Sequence, residues 1–268
     1  MVEVFHTALI TGASGGLGMA LAQRLAKEKI ALLLTGRNEQ KLAEVVASVK
    51  NKVAVESLTA DLATDVGSKC LCNFIRHHAP NLVINNAGYG LYGAALSYRG
   101  EEQRDLLRVN GEAVLELTLA AARAMISKGQ RGTIVNISSA AGSLPFPSFA
   151  VYAASKAFVN SLSSSLDCEL SPYGVRVLVS SPGMIDTPFR WRSGASKSSL
   201  LFSFASLTPT YVAELIWRQV SKGQQQAILD WRYRFLCSIA RLLPRCLVAA
   251  WLQRTIQQRI DPRPLLLD

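Results

Sequence analysis

Tyr152 and Lys156, four positions apart in the run Tyr152-Ala153-Ala154-Ser155-Lys156, are residue types that could exchange a proton with a bound molecule. Apolar residues recur every three to four positions from Val151 to Leu170, which predicts a helix with the phenol and the ammonium on one face. A phenol with an ordinary pKa of about 10 is a poor base, and a fixed cation beside it favours the phenolate. Upstream, Thr133 to Ile137 reads as a strand ending in Ser138-Ser139. A hydroxyl at that edge, on Ser139, could hydrogen-bond an oxygen on which charge develops. Either element alone is an ordinary string or an ordinary turn serine; together they describe an acid–base site.

The first strand candidate, Thr7 to Thr11, runs into Gly12-Ala13-Ser14-Gly15-Gly16-Leu17-Gly18 and a helical stretch from Leu17 to Glu28. Glycines at 12, 16 and 18 permit a tight turn, let backbone approach a pyrophosphate and let helix and strand pack closely, with the phosphates facing the free N–H groups of the helix. The pattern is a variant of the dinucleotide fingerprint. After the second strand, Ile30 to Thr35, the chain reads Gly36-Arg37-Asn38, with no carboxylate for a ribose 2'-hydroxyl. The Arg37 guanidinium matches a 2'-phosphate, so NADP(H) is expected over NAD(H); a solvated arginine is the plain alternative.

These residues need a scaffold, and the periodicity supplies one. Further strand candidates are Val53 to Leu58, Leu82 to Asn85, Val175 to Ser180 and Gln226 to Leu229, alternating with helical stretches such as Glu39 to Val49 and Glu101 to Lys128. Apolar strands alternating with amphipathic helices predict an α/β fold, a Rossmann-type doubly wound parallel sheet of about seven strands in a three-layer sandwich, with ligands beyond the carboxyl ends of the strands. The expected organisation is one domain, a cofactor-binding and catalytic unit over 1–230 extended by an amphipathic segment over 231–268.

With these motifs in place, residues 5 to 190 resemble the short-chain dehydrogenase/reductase family. The resemblance rests on Thr11 to Gly18, Asp61-Leu62, Asn85-Asn86-Ala87-Gly88, Asn110, Ser139, Tyr152 to Lys156, and Ser181-Pro182-Gly183 with Thr187 beyond. It implies hydride transfer between a nicotinamide and an alcohol or ketone carbon. Tyr152 would be the general acid or base, Lys156 would bind the nicotinamide ribose and lower the tyrosine pKa, Ser139 would polarise the carbonyl oxygen, and Asn110 would hold a water in the proton relay. Gly12, Ser14, Gly15, Gly16, Leu17 and Gly18 would cradle the phosphates and Arg37 the 2'-phosphate. Asp61 and Leu62 would meet the adenine, Asn86, Ala87 and Gly88 would line the cleft, and Pro182, Gly183, Ile185 and Thr187 would flank the nicotinamide. Many NADP-dependent members carry a second basic residue in the glycine turn, where this chain has Ser14-Gly15. The resemblance also implies a homodimer or homotetramer, with the long helices at the interface.

Composition narrows the remaining choices. The net charge is +10 and 49% of residues are hydrophobic. The basic residues form no run interleaved with aromatics, so nucleic acid is not expected as a partner. Cys70, Cys72, Cys168, Cys237 and Cys246 lack zinc or disulfide spacing. They read as reduced thiols, no metal is expected, and with no leader before the first strand the expected location is cytoplasmic, with peripheral membrane contact left open.

Two segments bear on the substrate. After Thr187 come Pro188-Phe189-Arg190-Trp191-Arg192, the small-residue stretch Ser193 to Ser199 and the apolar stretch Leu200 to Leu207, read as a lid whose apolar residues either face a bulky apolar substrate or pack on the protein itself. The family resemblance, together with the tail that follows, implies a lipid-like, ketoacyl or steroid-like carbonyl. Trp231 to Ile260 mixes apolar and aromatic residues with arginines, with Pro244 between two helical stretches. This tail reads as an amphipathic element at a membrane surface, at an oligomer interface or over the active site. The activity that competes with an oxidoreductase is a redox sensor or scaffold that binds NADP(H) without turnover.

Overall fold

In the computed structural model, which describes residues 4–189, 193, 206–257 and 266, the short apolar runs form strands β1 (Thr7–Ile10), β2 (Ala31–Gly36), β3 (Val55–Thr59), β4 (Leu82–Asn85), β5 (Gly132–Ile137), β6 (Val175–Ser181) and β7 (Gln226–Ile228). The strands begin and end within two residues of the runs read from the sequence. They make one seven-stranded sheet in the order β3-β2-β1-β4-β5-β6-β7, parallel throughout. The helices are α1 (Gly16–Lys27), α2 (Glu39–Val49), α3 (Asp65–His78), α4 (Gly100–Leu107), α5 (Ala113–Ser127), α6 (Ala150–Leu170), α7 (Pro209–Ser221), α8 (Trp231–Leu242) and α9 (Arg245–Gln257).

Successive strand side chains point to opposite faces, so each buried strand feeds two cores. Ala8, Ile10, Leu32, Leu34 and Ile84 pack under α1, α2 and α7. Leu9, Leu33, Val83, Ile134 and Val177 pack on the other side with α3 and α5. The result is the expected three-layer, doubly wound sandwich. The winding reverses between β1 and β4, which pair directly, and their carboxyl ends open the crevice where such folds hold ligands.

The sequence predicts a single helix from Glu101 to Lys128. The backbone is helical across that range but loosens into a π turn over Arg108–Glu112, between α4 and α5. A π turn places an extra residue in the helix and re-aims the side chains around it. Here it carries the fully buried Asn110 toward the end of β4. The tail divides as expected: α8 ends before Leu243 and Pro244, and α9 starts at Arg245. Val248 and Leu252 of α9 pack with Ala240, Leu144 and Phe146, which brings the tail back onto the domain.

Helix α6 is fastened to the sheet at its far end. The Asp167 carboxylate accepts the Val177 backbone N–H at 2.8 Å and two bonds from the Arg176 guanidinium, at 2.8 and 3.0 Å. Asp167→Ala leaves a buried N–H without a partner, and the expected loss is about 2 kcal/mol of unfolding free energy, read as a lower urea midpoint at unchanged slope.

Candidate active site

The turn between β1 and α1 is built by glycines that tolerate no side chain. Gly12 has φ +64, and a β-carbon there would lie 2.9 Å from the Ala87 Cα; one on Gly18 would overlap the Gly12 carbonyl. Gly15 caps α1 without a side-chain hydrogen bond, and the first turn of α1 carries no acidic residue. Its N–H groups and dipole are therefore available to an anion. Thr11 ties this turn to the end of β4: its hydroxyl accepts the Asn86 and Ala87 N–H groups at 3.0 and 2.9 Å, while the Asn86 amide donates to the Thr11 carbonyl at 2.9 Å.

A cavity of about 990 Å³ begins at this turn and runs along the carboxyl edge of the sheet. Every residue expected to bind the cofactor, from Gly12 through Arg37 and Asp61 to Thr187, lines it, as do Ser139, Tyr152 and Lys156. The wall that holds Arg37 also holds Lys41, in the first turn of α2. Lys41 is a second cation that the sequence reading did not single out. Asp61 spends one carboxylate oxygen on the Ala63 N–H, 3.0 Å away, so it also shapes its own turn. Thr187 closes against the glycine turn, where a β-carbon on Gly16 would meet its methyl at 2.8 Å.

At the other end stand the acid–base residues. Ser139 caps a short 3-10 helix, Ala140–Ser143, its Oγ accepting the Ala141 N–H at 3.2 Å, and lines the cavity together with Tyr152. Gly142 lets this helix lie directly on α6, because a β-carbon there would sit 2.7 Å from the Lys156 carbonyl carbon. The Lys156 amine donates to the Ile137 carbonyl at 2.9 Å and lies 5.7 Å from the centre of the Tyr152 ring. Burial pulls the lysine pKa down to about 8. Burial also pushes the Tyr152 phenol up to about 12, an effect the Ser139 hydroxyl partly opposes. In the protein alone, desolvation thus outweighs the influence of Ser139, and the phenol keeps its proton at neutral pH.

Asn110 stands behind this pair. Its amide donates to the Tyr89 carbonyl at 2.9 Å and to Ser155 Oγ at 3.2 Å, and its oxygen accepts the Tyr89 N–H at 3.1 Å. Both amide hydrogens are engaged in holding the Gly88-Tyr89 segment against α6. A β-carbon on Gly88 would lie 3.0 Å from Asn110 Oδ1 and 3.5 Å from Lys156 Nζ, so both groups border one glycine.

The substrate end is aromatic. Phe149 stacks on Tyr152 at 4.1 Å and on Tyr92 at 3.8 Å between ring centres, and Phe189 lies 5.9 Å from Tyr152. Leu91, Phe146, Met184 and Tyr233 complete this wall. Of the lid proposed from the sequence, Phe189 lines the cavity; Trp191, Leu200, Leu201, Phe202 and Phe204 lie outside the described residues.

Comparison with known proteins agrees with this arrangement. The family model described as short chain dehydrogenase matches residues 6–198. The chain belongs to that family. Its resemblance over residues 5 to 190 is thereby borne out, and with it an oxidoreductase working between alcohols and carbonyls. The dehydrogenase is 32% identical over 216 residues to sulfoacetaldehyde reductase 2 of Chromohalobacter salexigens, covering 78% of this chain and 86% of that one. It is 30% identical over 252 residues to a very-long-chain 3-oxoacyl-CoA reductase-like protein of Arabidopsis thaliana, covering 91% and 79%. Among solved structures, a short-chain dehydrogenase from Sphingobium yanoikuyae in complex with NADPH superposes with a TM-score of 0.79 at 29% identity, over 88% of this chain and 94% of that one.

The buried amine makes a prediction about stability. Its pKa of about 8 in the folded protein lies below the ordinary 10.5, so between those values the unfolded chain binds more protons and stability rises with pH. From pH 7.5 to 9.5 Lys156 adds about 2 kcal/mol. Tyr152, raised to about 12, acts in the opposite sense only above its ordinary value of 10. Lys156→Met should remove that rise, measured as the difference between the urea unfolding curves of the two proteins at the two pH values.

Proposed function

We propose that this dehydrogenase uses NADP(H) and that its main reaction is the reduction of an apolar, lipid-like carbonyl. One observation carries the reading: the cavity joins a glycine turn with two cations beside it, Arg37 and Lys41, to a Ser139–Tyr152–Lys156 group walled by aromatic rings. When bound, the reduced nicotinamide supplies the hydride. The glycine turn and the open N-terminus of α1 hold the pyrophosphate, Asp61 and Leu62 border the adenine, Arg37 and Lys41 meet the 2'-phosphate, and Asn86 to Gly88 with Pro182 to Thr187 flank the nicotinamide.

Around the substrate, Ser139 donates a hydrogen bond to the carbonyl oxygen and Tyr152 gives it the phenolic proton as charge develops there. A phenol raised to about 12 is protonated throughout the neutral range, the state that reduction requires. Lys156 holds the ribose and, with Asn110, marks the route by which the proton on Tyr152 is replaced; Asn110 itself acts as a positioning residue. Tyr92, Phe149 and Phe189 exclude water from the acyl side. Residues 1–230 form the catalytic unit and 231–268 its amphipathic extension, in a cytoplasmic homo-oligomer. Nothing in the site favours a binding protein without turnover.

Two variants test the reading. Tyr152→Phe should lower ketone reduction by about 10² to 10⁴-fold while NADPH still binds, and turnover within threefold of wild type would refute the mechanism. Arg37→Ser should weaken NADPH binding by about tenfold or more and leave NADH binding unchanged, in a fluorescence titration of each cofactor. On a panel of ketones, kcat/KM should rise with chain length; a preference for short, charged carbonyls would overturn the apolar assignment.

A further inference from the structure

Helix α8 has two faces with different surroundings. Tyr233, Cys237 and Ala240 recur at helical spacing on the inner one. The Tyr233 ring lies so close over Gly183 that a β-carbon there would overlap it, and it lines the cavity. Cys237 Sγ is 4.0 Å from the Ala140 carbonyl oxygen, beside Ser139, and Ala240 packs on Val248 and Leu252. Trp231, Phe235, Ile239 and Leu242 recur on the opposite face and are 70%, 64%, 40% and 86% exposed. Leu243, at the end of α8, and Leu247, across the Pro244 turn, add exposed apolar side chains.

Its charge says what covers it. Between Trp231 and Ile260 the sequence carries Arg232, Arg234, Arg241, Arg245, Arg254 and Arg259, with no aspartate or glutamate. Asp230 holds Arg232, whereas Arg234 and Arg254 are exposed at the surface. A second copy packed on this face across a two-fold axis would set arginines against arginines, with no acid in the segment to relieve them. An anionic lipid surface complements both the apolar stripe and the arginines. The helices are too short to cross it: 12 and 13 residues reach about 18 and 20 Å, against about 30 Å of hydrocarbon. Among the described residues no helix is long and apolar enough to span a membrane.

We propose that the outer face of α8, with Leu243 and Leu247, docks in the plane of an anionic lipid bilayer and holds the Tyr233 side of the substrate cavity against it. The benefit of this placement rests on the reading of the enzyme as a reductase of apolar carbonyls, since those substrates partition into the bilayer. α8 is then the shared wall between membrane and active site: one helix turns lipid toward its outside and the cavity toward its inside.

The test is flotation of the full-length protein with vesicles of phosphatidylcholine alone or with about a third phosphatidylglycerol, alongside a triple variant, Trp231→Ser, Phe235→Ser and Leu242→Ser. None of these three residues lines the cavity. Wild type should float with the anionic vesicles and be released by high salt, and the variant should bind about tenfold more weakly or worse. Reduction of a short water-soluble ketone should be the same for both proteins, which establishes that the variant is folded. Failure of wild type to float, equal flotation of the variant, or equal flotation with uncharged vesicles would overturn the proposal. So would a wild-type dimer that dissociates in the variant by sedimentation, which would assign the face to a second copy. Flotation without NADPH-dependent turnover of any ketone would leave the docking standing and refute the catalytic reading instead.

Discussion

The joint between the end of β5 and the second turn of α6 sets the geometry of everything around it. The Lys156 amine reaches the Ile137 carbonyl, Ser138 Oγ donates to the Lys156 carbonyl at 3.0 Å, and Gly142 lets the intervening 3-10 helix touch the Lys156 backbone. Each of these contacts ends on a main-chain atom, so its place follows that of the strand or helix that carries it. The separation of Ser139 from Tyr152 is thus fixed by how α6 lies on the sheet. The joint also buries an amine with a backbone carbonyl as its hydrogen-bond partner, which is unfavourable for the charged form. Fastenings such as Asp167 to Val177, one strand away, keep the helix in place despite that cost.

Much of this was legible in the sequence, because the scaffold repeats one pattern. Alternation of β-branched runs and amphipathic stretches gave every strand of the sheet to within two residues, and Pro244 divided the tail where the chain does divide. Tyr152, Lys156 and Ser139 were found because their spacing is local: two share a helix face and the third ends a strand. The glycine turn was legible for the same reason.

What the sequence concealed depends on contacts between distant segments. The π turn at Asn110 leaves no mark in apolar periodicity, since α4 and α5 continue the same pattern on either side of it; it is held by bonds to Tyr89, 21 residues away. Tyr92, Phe149 and Tyr233 come from three separate segments of the chain and meet only through the topology. Lys41 carried a usable signal, being four residues after Arg37 at the start of a helix, yet a lysine there reads equally as a solvated end. The structural role of the Asn110 side chain, whose two amide hydrogens go to Tyr89 and Ser155, is likewise a contact between distant segments.

The tie between Thr11 and the Asn86-Ala87 backbone has a consequence for how the molecule responds to its ligand. It joins the two halves of the sheet, β1 to β3 on one side of the winding reversal and β4 to β7 on the other. A dinucleotide seated across that tie would contact both halves, so it would recognise only a chain in which they have come together. Saturation would then raise the free energy of separating the halves, by about 2.7 kcal/mol at a hundred times the dissociation constant. Resistance to proteolysis and to heat should therefore follow the supply of reduced cofactor, making the lifetime of the polypeptide sensitive to the metabolic state around it.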